Sequence, residues 1–365
     1  NKCSYEKGNT FSKGTLLKLG PKDVYRYFCY RTFGKENVCS DDTPEFWRAS
    51  TMDYHKKAIS YFMVDTNQIW NETNEMGNPT RSSLVNNLLA FVIKQQTHHK
   101  GKESNVVRAL TITEFAQIIT IVRGMKYNIR RYSISAHFIF KYNIIGRIDD
   151  VAHMYLKNVK INPDFPYTLL VRVVWSKNIN DERFFPDQVL LGANDPTYCV
   201  LLALAIHLET WIGGVSCDTE FMFDLFKTPK STKTRVGEVL RNDIFRSTSF
   251  KQEYDGLLGS HSIRNLASTY ASNSCDPSQV SRRGRWKEGK KMVDRYISCT
   301  LPYPDAKVAG ALAIGGPVKY TLKEGCGISD DWIQKHVVPN TYRFLEERVT
   351  NVFGYALLWG CFDPK

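Results

Sequence analysis

His261 and Arg264 stand three residues apart in the segment LLGSHSIRNLASTYASNS, residues 257–274. At about 100° per residue, a helix places two such side chains within about 60° of each other. An imidazole beside a guanidinium can donate hydrogen bonds to one oxyanion, such as a phosphate. Taken alone, the pair is also typical of a solvated polar face, so the rest of the chain has to decide between the two interpretations.

The segment has the pattern of an amphipathic helix. Gly259 allows a turn, and Ser260 is a good N-cap because its hydroxyl can accept an early backbone N–H. Apolar residues then recur at the spacing of a core-facing stripe, namely Ile263, Leu266, Ala267, Tyr270 and Ala271. We therefore predict that His261 and Arg264 lie on the side of this helix away from the core.

Further residues of related chemistry occur elsewhere in the chain. Arg147 stands at a predicted helix start, three residues before Asp150. Lys177 ends the first strand of a predicted β-hairpin. Trp286 and Tyr296 lie in the basic segment SRRGRWKEGKKMVDRYIS. In chain order the set is Arg, Lys, His-x-x-Arg, Trp and Tyr.

That order resembles the tyrosine recombinases, a family of DNA-cutting integrases whose chemistry is shared with type IB topoisomerases. The resemblance covers about residues 46–300. RALTITEFAQII resembles the start of the family's catalytic domain, GRIDD its first-arginine box with Asp150 as the acidic residue, and HSIR its second box. DRYIS resembles the nucleophile segment, 32 residues after Arg264. RRGRW and the C-terminal tail are most similar to the recombinases of Crypton-type eukaryotic mobile elements.

The resemblance implies cleavage and rejoining of DNA through a covalent 3′-phosphotyrosine on Tyr296, without metal, ATP or cofactor. Arg147 and Arg264 would stabilise charge on the phosphate oxygens through their paired N–H donors. His261 would act as acid, base or phosphate donor, and Lys177 would protonate the leaving 5′-oxygen. A phosphotyrosine conserves the bond for rejoining, which agrees with the lack of a nucleotide-binding motif.

Other residues could take some of these roles. Tyr270 and Tyr303 are rivals of Tyr296, but Tyr270 belongs to an apolar stripe and Tyr303 stands between two prolines. In most of the family a His or Trp precedes the tyrosine by nine residues, a position that Lys287 occupies here. We favour Trp286, one residue earlier, for this role. For the lysine of the hairpin, Lys157 and Lys160 stand near in sequence as alternatives.

The predicted fold class is mainly α with a small β-sheet (α+β). The resemblance implies a helical core-binding domain and a catalytic domain that together form a C-shaped clamp on DNA. The segment YTLLVRVVWSKNINDERFFPDQVLL predicts the hairpin, Thr113 a helix start, and KTPKSTKTR a basic loop. The predicted division is an extension at 1–45, a core-binding domain at 46–96, a basic linker at 97–109, a catalytic domain at 110–300 and a helical tail at 301–365.

Composition favours an acidic partner. The chain of 365 residues carries 49 Lys and Arg against 37 Asp and Glu, a formal net charge of +12. Nucleic acid is the first candidate partner and a membrane surface the second. The longest apolar segment, CVLLALAIHLETWIGGV, is too short to span a bilayer and predicts a core helix. Nine scattered cysteines without a C-x-x-C pair favour reduced thiols inside a cell, and the Crypton resemblance implies the nucleus.

We expect double-stranded DNA with specific sites as the partner, bound by a dimer that becomes a tetramer when two sites are paired, and no membrane contact. The tail could exchange between protomers or fold onto its own domain. The predicted phosphate contacts lie in the linker, the basic loop and the segment before Tyr296; they are Lys100, Lys102, Arg108, Lys230, Lys233, Arg235, Arg282, Arg283, Arg285, Lys287 and Lys290.

Two other functions fit the same residues. One is a domesticated DNA-binding protein that keeps the fold without the chemistry. The other is a relaxing topoisomerase of the IB type, which needs no pairing of sites. The full set of catalytic residue types argues against the first, and the long tail favours strand exchange over the second.

Overall fold

The structure is a computed structural model that describes residues 13–126, 128, 130–175, 187–211, 220–223, 225–226, 228–286, 305–322 and 325–362. Lys177, Lys287, Lys290 and Tyr296 lie outside the described residues. The chain divides into two compact units, Asn1–Val106 and Val107–Lys365. The division falls inside the predicted linker at 97–109.

The first unit is a small helical domain. Its helices are α1 (Lys13–Leu17), α2 (Pro21–Phe33), α3 (Ala49–Phe62) and α4 (Ser83–Thr97). Phe28, Met52 and Val92 are fully buried where α2, α3 and α4 meet. The sequence analysis placed the segment before residue 46 outside this domain. The structure corrects that boundary, because the apolar face of α2 supplies part of the same core.

The second unit is built around a central helix. Its helices are α5 (Ile112–Gly124), α6 (Arg131–Asn143), α7 (Ile148–Ala152), α8 (Val200–Trp211), α9 (Pro229–Glu238), α10 (Ser262–Ser272), α11 (Pro277–Gly284), α12 (Asp305–Leu312), α13 (Asp330–His336) and α14 (Glu347–Phe362). Every residue of α6 from Ser133 to Asn143 is buried. A helix buried on all faces has to be surrounded by other elements, and α5, α8 and α10 pack against it.

Two small antiparallel sheets complete this unit. Strands β1 (Val159–Ile161), β2 (Leu169–Arg172) and β3 (Asp187–Leu190) form the first, in the order β1-β2-β3. The β2–β3 pair, with Val171 opposite Gln188, is the predicted hairpin. Strands β4 (Gly192–Ala193) and β5 (Pro317–Val318) form a second sheet that the sequence analysis did not predict. The fold class is mainly α with a small antiparallel sheet component.

Three predicted boundaries differ from the structure. Thr111, not Thr113, caps α5, and Thr111 and Glu114 bind each other's backbone N–H groups in a capping box. The predicted basic loop is helix α9, with Thr228 as N-cap and a proline at the first helical position. Helix α10 begins at Ser262, so His261 rather than Ser260 occupies its N-cap position.

The C-terminal tail lies on its own unit in this chain. Helix α14 packs against α8, the predicted core helix, and Phe353 and Ala356 of α14 are fully buried. Within the described residues, no helix is both long and apolar enough to cross a membrane.

Two buried histidines make the stability of this unit sensitive to acid. His137 of α6 and His207 of α8 are both fully buried, and Phe223 lies against both rings. Burial lowers the pKa of His137 to about 3, with Lys141 and His207 adding to the shift. Burial also lowers the pKa of His207 to about 4, although the Met222 carbonyl opposes the shift.

We expect the free energy of unfolding to fall as the pH drops from 6.5 towards 4. In that range the unfolded chain binds protons at these two histidines and the folded chain does not, which stabilises the unfolded state. At pH 5 the loss is on the order of 2 kcal/mol per histidine. Urea denaturation between pH 4 and 8 measures this, and His137→Phe should flatten the profile. A variant profile as steep as that of the wild type would contradict the assignment.

Candidate active site

Arg147 is positioned by the connection between α6 and α7. It is the N-cap residue of α7, and its backbone N–H donates to the Oδ2 atom of Asp150 at 2.9 Å. The Asp150 side chain is fully buried and also accepts from Nη2 of Arg285 at 2.9 Å. One carboxylate therefore fixes both the start of α7 and a second guanidinium.

The end of α11 supplies two buried arginines on either side of Gly284. Arg283 donates to the carbonyls of Asn143 (2.8 Å) and Val189 (3.0 Å) and pairs with Asp305. Arg285 adopts the left-handed conformation, with φ of 57°, and its guanidinium is buried against Asp150. The sequence analysis assigned Arg283 and Arg285 to DNA phosphates. The structure corrects this, because both guanidinium groups are buried and bound to internal acceptors.

Arg264 lies beneath Trp286. The guanidinium carbon of Arg264 is 4.6 Å from the centre of the Trp286 ring, and Nη2 donates to the Gly284 carbonyl. A Cβ at Gly284 would meet the Trp286 ring at 2.1 Å, so only glycine lets the indole fold back in this way. Arg264 is 3% exposed and Trp286 is 40% exposed. Arg264 is therefore buried, and the alternative of a solvated polar face does not hold for this residue.

His261 lies at the exposed start of α10. Its pKa is lowered by partial burial first, and then by the positive charges of Lys141, Arg264 and Arg147. The imidazole is consequently neutral at pH 7 and able to accept a proton. His261 therefore lies within electrostatic range of Arg147 and Arg264, the two arginines predicted to bind the same phosphate.

Lys141 is a site residue that the sequence analysis missed. It lies on α6, is 1% exposed, and donates from Nζ to the Ser260 carbonyl, next to His261. Burial lowers its pKa to about 7, and the charge of Arg264 adds to the shift. The signal was present in the apolar run HFIFKYNII, where a lysine has no polar face to occupy.

The described part of the site carries an excess of positive charge. We call Lys141, Arg147, Arg264 and Arg285 the cation cluster; Asp150 is the carboxylate that interacts with all four. Burial lowers the pKa of Arg264 to about 10, and Arg147 and Arg285 add to the shift, so Arg264 keeps its charge at neutral pH. Such a cluster suits an anion, and above all a phosphate that gains charge in a transition state.

One donor of Arg264 is buried and has no partner among the described residues. The Nε atom of Arg264 has no hydrogen-bond partner among the described residues. Because a guanidinium presents its donors as a planar fork, an arginine fixed by Gly284 and Trp286 is already oriented before a ligand arrives. The side chain of Arg264 is therefore ordered before any ligand binds.

The other predicted DNA contacts fall into two groups. Arg108 binds both carboxylate oxygens of Glu114 (2.8 and 2.6 Å) and the Tyr254 carbonyl. This corrects its assignment to DNA, since internal acceptors occupy its guanidinium. The remaining described residues have exposed or partly exposed side chains; they are Lys100, Lys102, Lys230, Lys233, Arg235 and Arg282.

Some of these exposed cations have acidic neighbours. Lys233 donates to Asp149 at 2.8 Å and so links α9 to α7. Arg235 pairs with Glu238 within α9 at 3.0 Å. Exposed ion pairs contribute roughly 0–1 kcal/mol to the free energy of unfolding, so these side chains can leave their acidic neighbours and bind a DNA phosphate at little cost. The basic face of α9 thus stays open to a phosphate backbone.

The structure does not describe four of the predicted site residues. Lys177 and Tyr296, together with Lys287 and Lys290, lie outside the described residues. The described strand β2 ends at Arg172, five residues before Lys177. Among the described residues no group of three His, Cys, Asp or Glu is placed to hold a metal ion.

Comparison with known proteins adds no relative. No family model matches this chain. A search of curated proteins likewise finds no match.

Proposed function

We propose that this protein is a site-specific DNA recombinase that cleaves and rejoins DNA strands through a covalent 3′-phosphotyrosine intermediate. One observation supports the proposal most. Arg147, His261 and Arg264 all interact with one buried carboxylate, Asp150, and Trp286 stacks on Arg264. These are the residues whose order resembles the tyrosine recombinases.

The proposed reaction has balanced steps. The Tyr296 oxygen attacks the scissile phosphorus, the P–O5′ bond breaks, and the tyrosine proton passes to a base, for which neutral His261 is suited. The leaving 5′-oxygen takes a proton, from Lys177 by the resemblance. Arg147 and Arg264 bind the phosphate oxygens as charge develops. Attack by a 5′-hydroxyl on the phosphotyrosine then rejoins the strand and frees Tyr296.

The finer expectations of the resemblance belong to the same proposal. They are a double-stranded DNA partner, assembly into dimers and tetramers on DNA, a mobile-element origin of the Crypton type, and residence in the nucleus. The net charge of +12 supports an acidic partner. Exposed lysines on α9 and near residue 100 supply further cations for a phosphate backbone.

The test is trapping of the covalent intermediate. The substrates are nicked duplexes from a library of sequences that could be the ends of the mobile element. After cleavage, the short strand that carries the 5′-hydroxyl dissociates. Rejoining is then impossible, and the protein stays attached to the DNA. We expect a protein–DNA adduct on a denaturing gel for the wild type and none for Tyr296→Phe. Tyr254→Phe is a matched control, since Tyr254 is 67% exposed and the structure places it outside the site.

The outcome also separates the alternatives. An adduct that persists in Tyr296→Phe would assign the nucleophile to another tyrosine, with Tyr270→Phe and Tyr303→Phe as the next variants. Tight binding to DNA with no adduct on any duplex would refute the enzyme and favour a DNA-binding protein of the same fold. Relaxation of plasmids that lack paired sites would favour the topoisomerase.

A further inference from the structure

Lys141 contacts two segments of the site, of which the farther one, at Ser260, is 119 residues from Lys141 in the sequence. Its ammonium group binds the Ser260 carbonyl, and Ser260 directly precedes His261. Its backbone carbonyl accepts the N–H of Gly146 at 2.9 Å, and Gly146 directly precedes Arg147. One residue of the central helix therefore holds the segments that lead to both His261 and Arg147.

The backbone contact belongs to a tight helix end. At the end of α6 the Gly146 N–H reaches the Lys141 carbonyl and the Ile145 N–H reaches the Tyr142 carbonyl at 3.1 Å. Ile145 takes the left-handed conformation between them, with φ of 48°. This is the Schellman pattern, in which glycine is the usual residue at that position. A buried isoleucine there means that neighbouring contacts enforce the turn, which leaves Arg147 with little freedom.

The ammonium group of Lys141 faces charged groups from several elements. Arg264 and His261 come from α10, Asp150 from α7, and His137 from α6 itself. Asp150 is the acidic member and is shared with Arg285. A lysine that is 1% exposed in such surroundings is costly unless its charge or its hydrogen bond is used.

We propose that Lys141 is a positioning residue for strand cleavage, which holds His261 through the Ser260 carbonyl and adds a deep positive charge to the phosphate site. This inference rests on the proposed function for the identity of the phosphate. Lys141 is buried behind His261 and Arg264, so it acts through them and not by contact with DNA. Because burial lowers the pKa of Lys141 to about 7, its charge is lost as the pH rises through 7.

The first test follows the His261 imidazole in the full chain by NMR, with inorganic phosphate as the probe of the site. Lys141→Met keeps the length of the side chain and removes its charge. We expect the titration midpoint of His261 to rise by about one pH unit in this variant, since a nearby like charge is lost. Relative to the wild type at the same pH, phosphate affinity should fall several-fold at pH 6 and by less at pH 8, where Lys141 of the wild type is largely neutral.

Two further variants make the result specific. Lys141→Arg keeps a charge that does not titrate in this range, so its phosphate affinity should match that of the wild type at pH 6 and exceed it at pH 8. Lys335→Met is the matched control, because Lys335 is exposed on α13 and pairs only with Asp331 among the described residues. It should leave the His261 midpoint and the phosphate affinity unchanged.

Wild-type protein keeps the inference testable if Lys141→Met fails to fold. The His261 signal should then show a second inflection near pH 7, when Lys141 loses its proton. A folded Lys141→Met with an unchanged His261 midpoint would overturn the inference, and so would a wild-type signal without the second inflection.

The two proposals can fail separately. An adduct that forms in Lys141→Met with the wild-type rate and pH profile refutes the role of Lys141 and leaves the recombinase intact. Absence of an adduct from wild type, with the His261 shift present in the variant, refutes the recombinase and leaves a phosphate site controlled by Lys141.

Discussion

Replacement of Arg264 by lysine is expected to slow adduct formation by about 10²–10³-fold, the usual cost of one lost transition-state donor. Lysine keeps the positive charge, but it has no planar fork to span a phosphate while also reaching the Gly284 carbonyl. It also cannot stack its charge flat against Trp286 as the guanidinium does at 4.6 Å. The rate of adduct formation on a nicked duplex measures the loss.

The same variant should bind DNA almost as tightly as the wild type. Non-specific affinity depends on the number of phosphates that cations neutralise, and this number does not change. Arg246→Lys is the matched control, since Arg246 is exposed and outside the site. Equal adduct rates for Arg264→Lys and the wild type would contradict a phosphate-binding role for Arg264.

Asp150→Asn is expected to lower the free energy of unfolding by about 3–5 kcal/mol, the range for breaking a buried ion pair. The Asp150 and Arg285 side chains are 0% and 1% exposed, so the variant leaves a buried guanidinium without its counter-charge. It also weakens the acceptor for the Arg147 backbone N–H at the start of α7. Urea denaturation of the full chain, read as the loss of the tertiary signal of the second unit, measures the change.

Asp149→Asn is the control for Asp150→Asn, because it makes the same change at the preceding residue. Asp149 is partly exposed and pairs with Lys233, which is 45% exposed, so we expect a loss of about 1 kcal/mol or less. Asp150→Leu combined with Arg285→Met should cost less than the sum of the two single changes, because neither charge is left unpaired. Simple additivity would show that the ion pair is not the reason for the loss.

Local patterns were sufficient to predict much of the fold. The apolar residues of α8 and α10 predicted helices there, and β-branched residues with a polar turn predicted the β2–β3 hairpin. These signals are contained in a few neighbouring residues. Helix α9 was wrongly predicted as a loop because its basic composition hid two good start signals, Thr228 and Pro229.

The burial of the arginines could not be predicted from the same signals. Arg264 lies on the polar side of its own helix, yet the Trp286 ring and the Gly284 carbonyl, which follow that helix in the chain, lie against its guanidinium. Arg283 and Arg285 look like surface cations in RRGRW, because their acceptors are backbone carbonyls and distant carboxylates. Partners of this kind depend on the tertiary fold and leave no mark on local spacing.

The position of the site at one end of α6 has a consequence for the energy of the reaction. Arg147 follows the last turn of a helix whose eleven final residues are all buried, and Arg264 lies beside it with its guanidinium held on two sides. The Arg264 guanidinium and the backbone that leads to Arg147 are therefore already ordered before any substrate binds. In the proposed reaction, groups that were oriented when the chain folded would take the place of the reorganisation that bulk water undergoes around a changing phosphate.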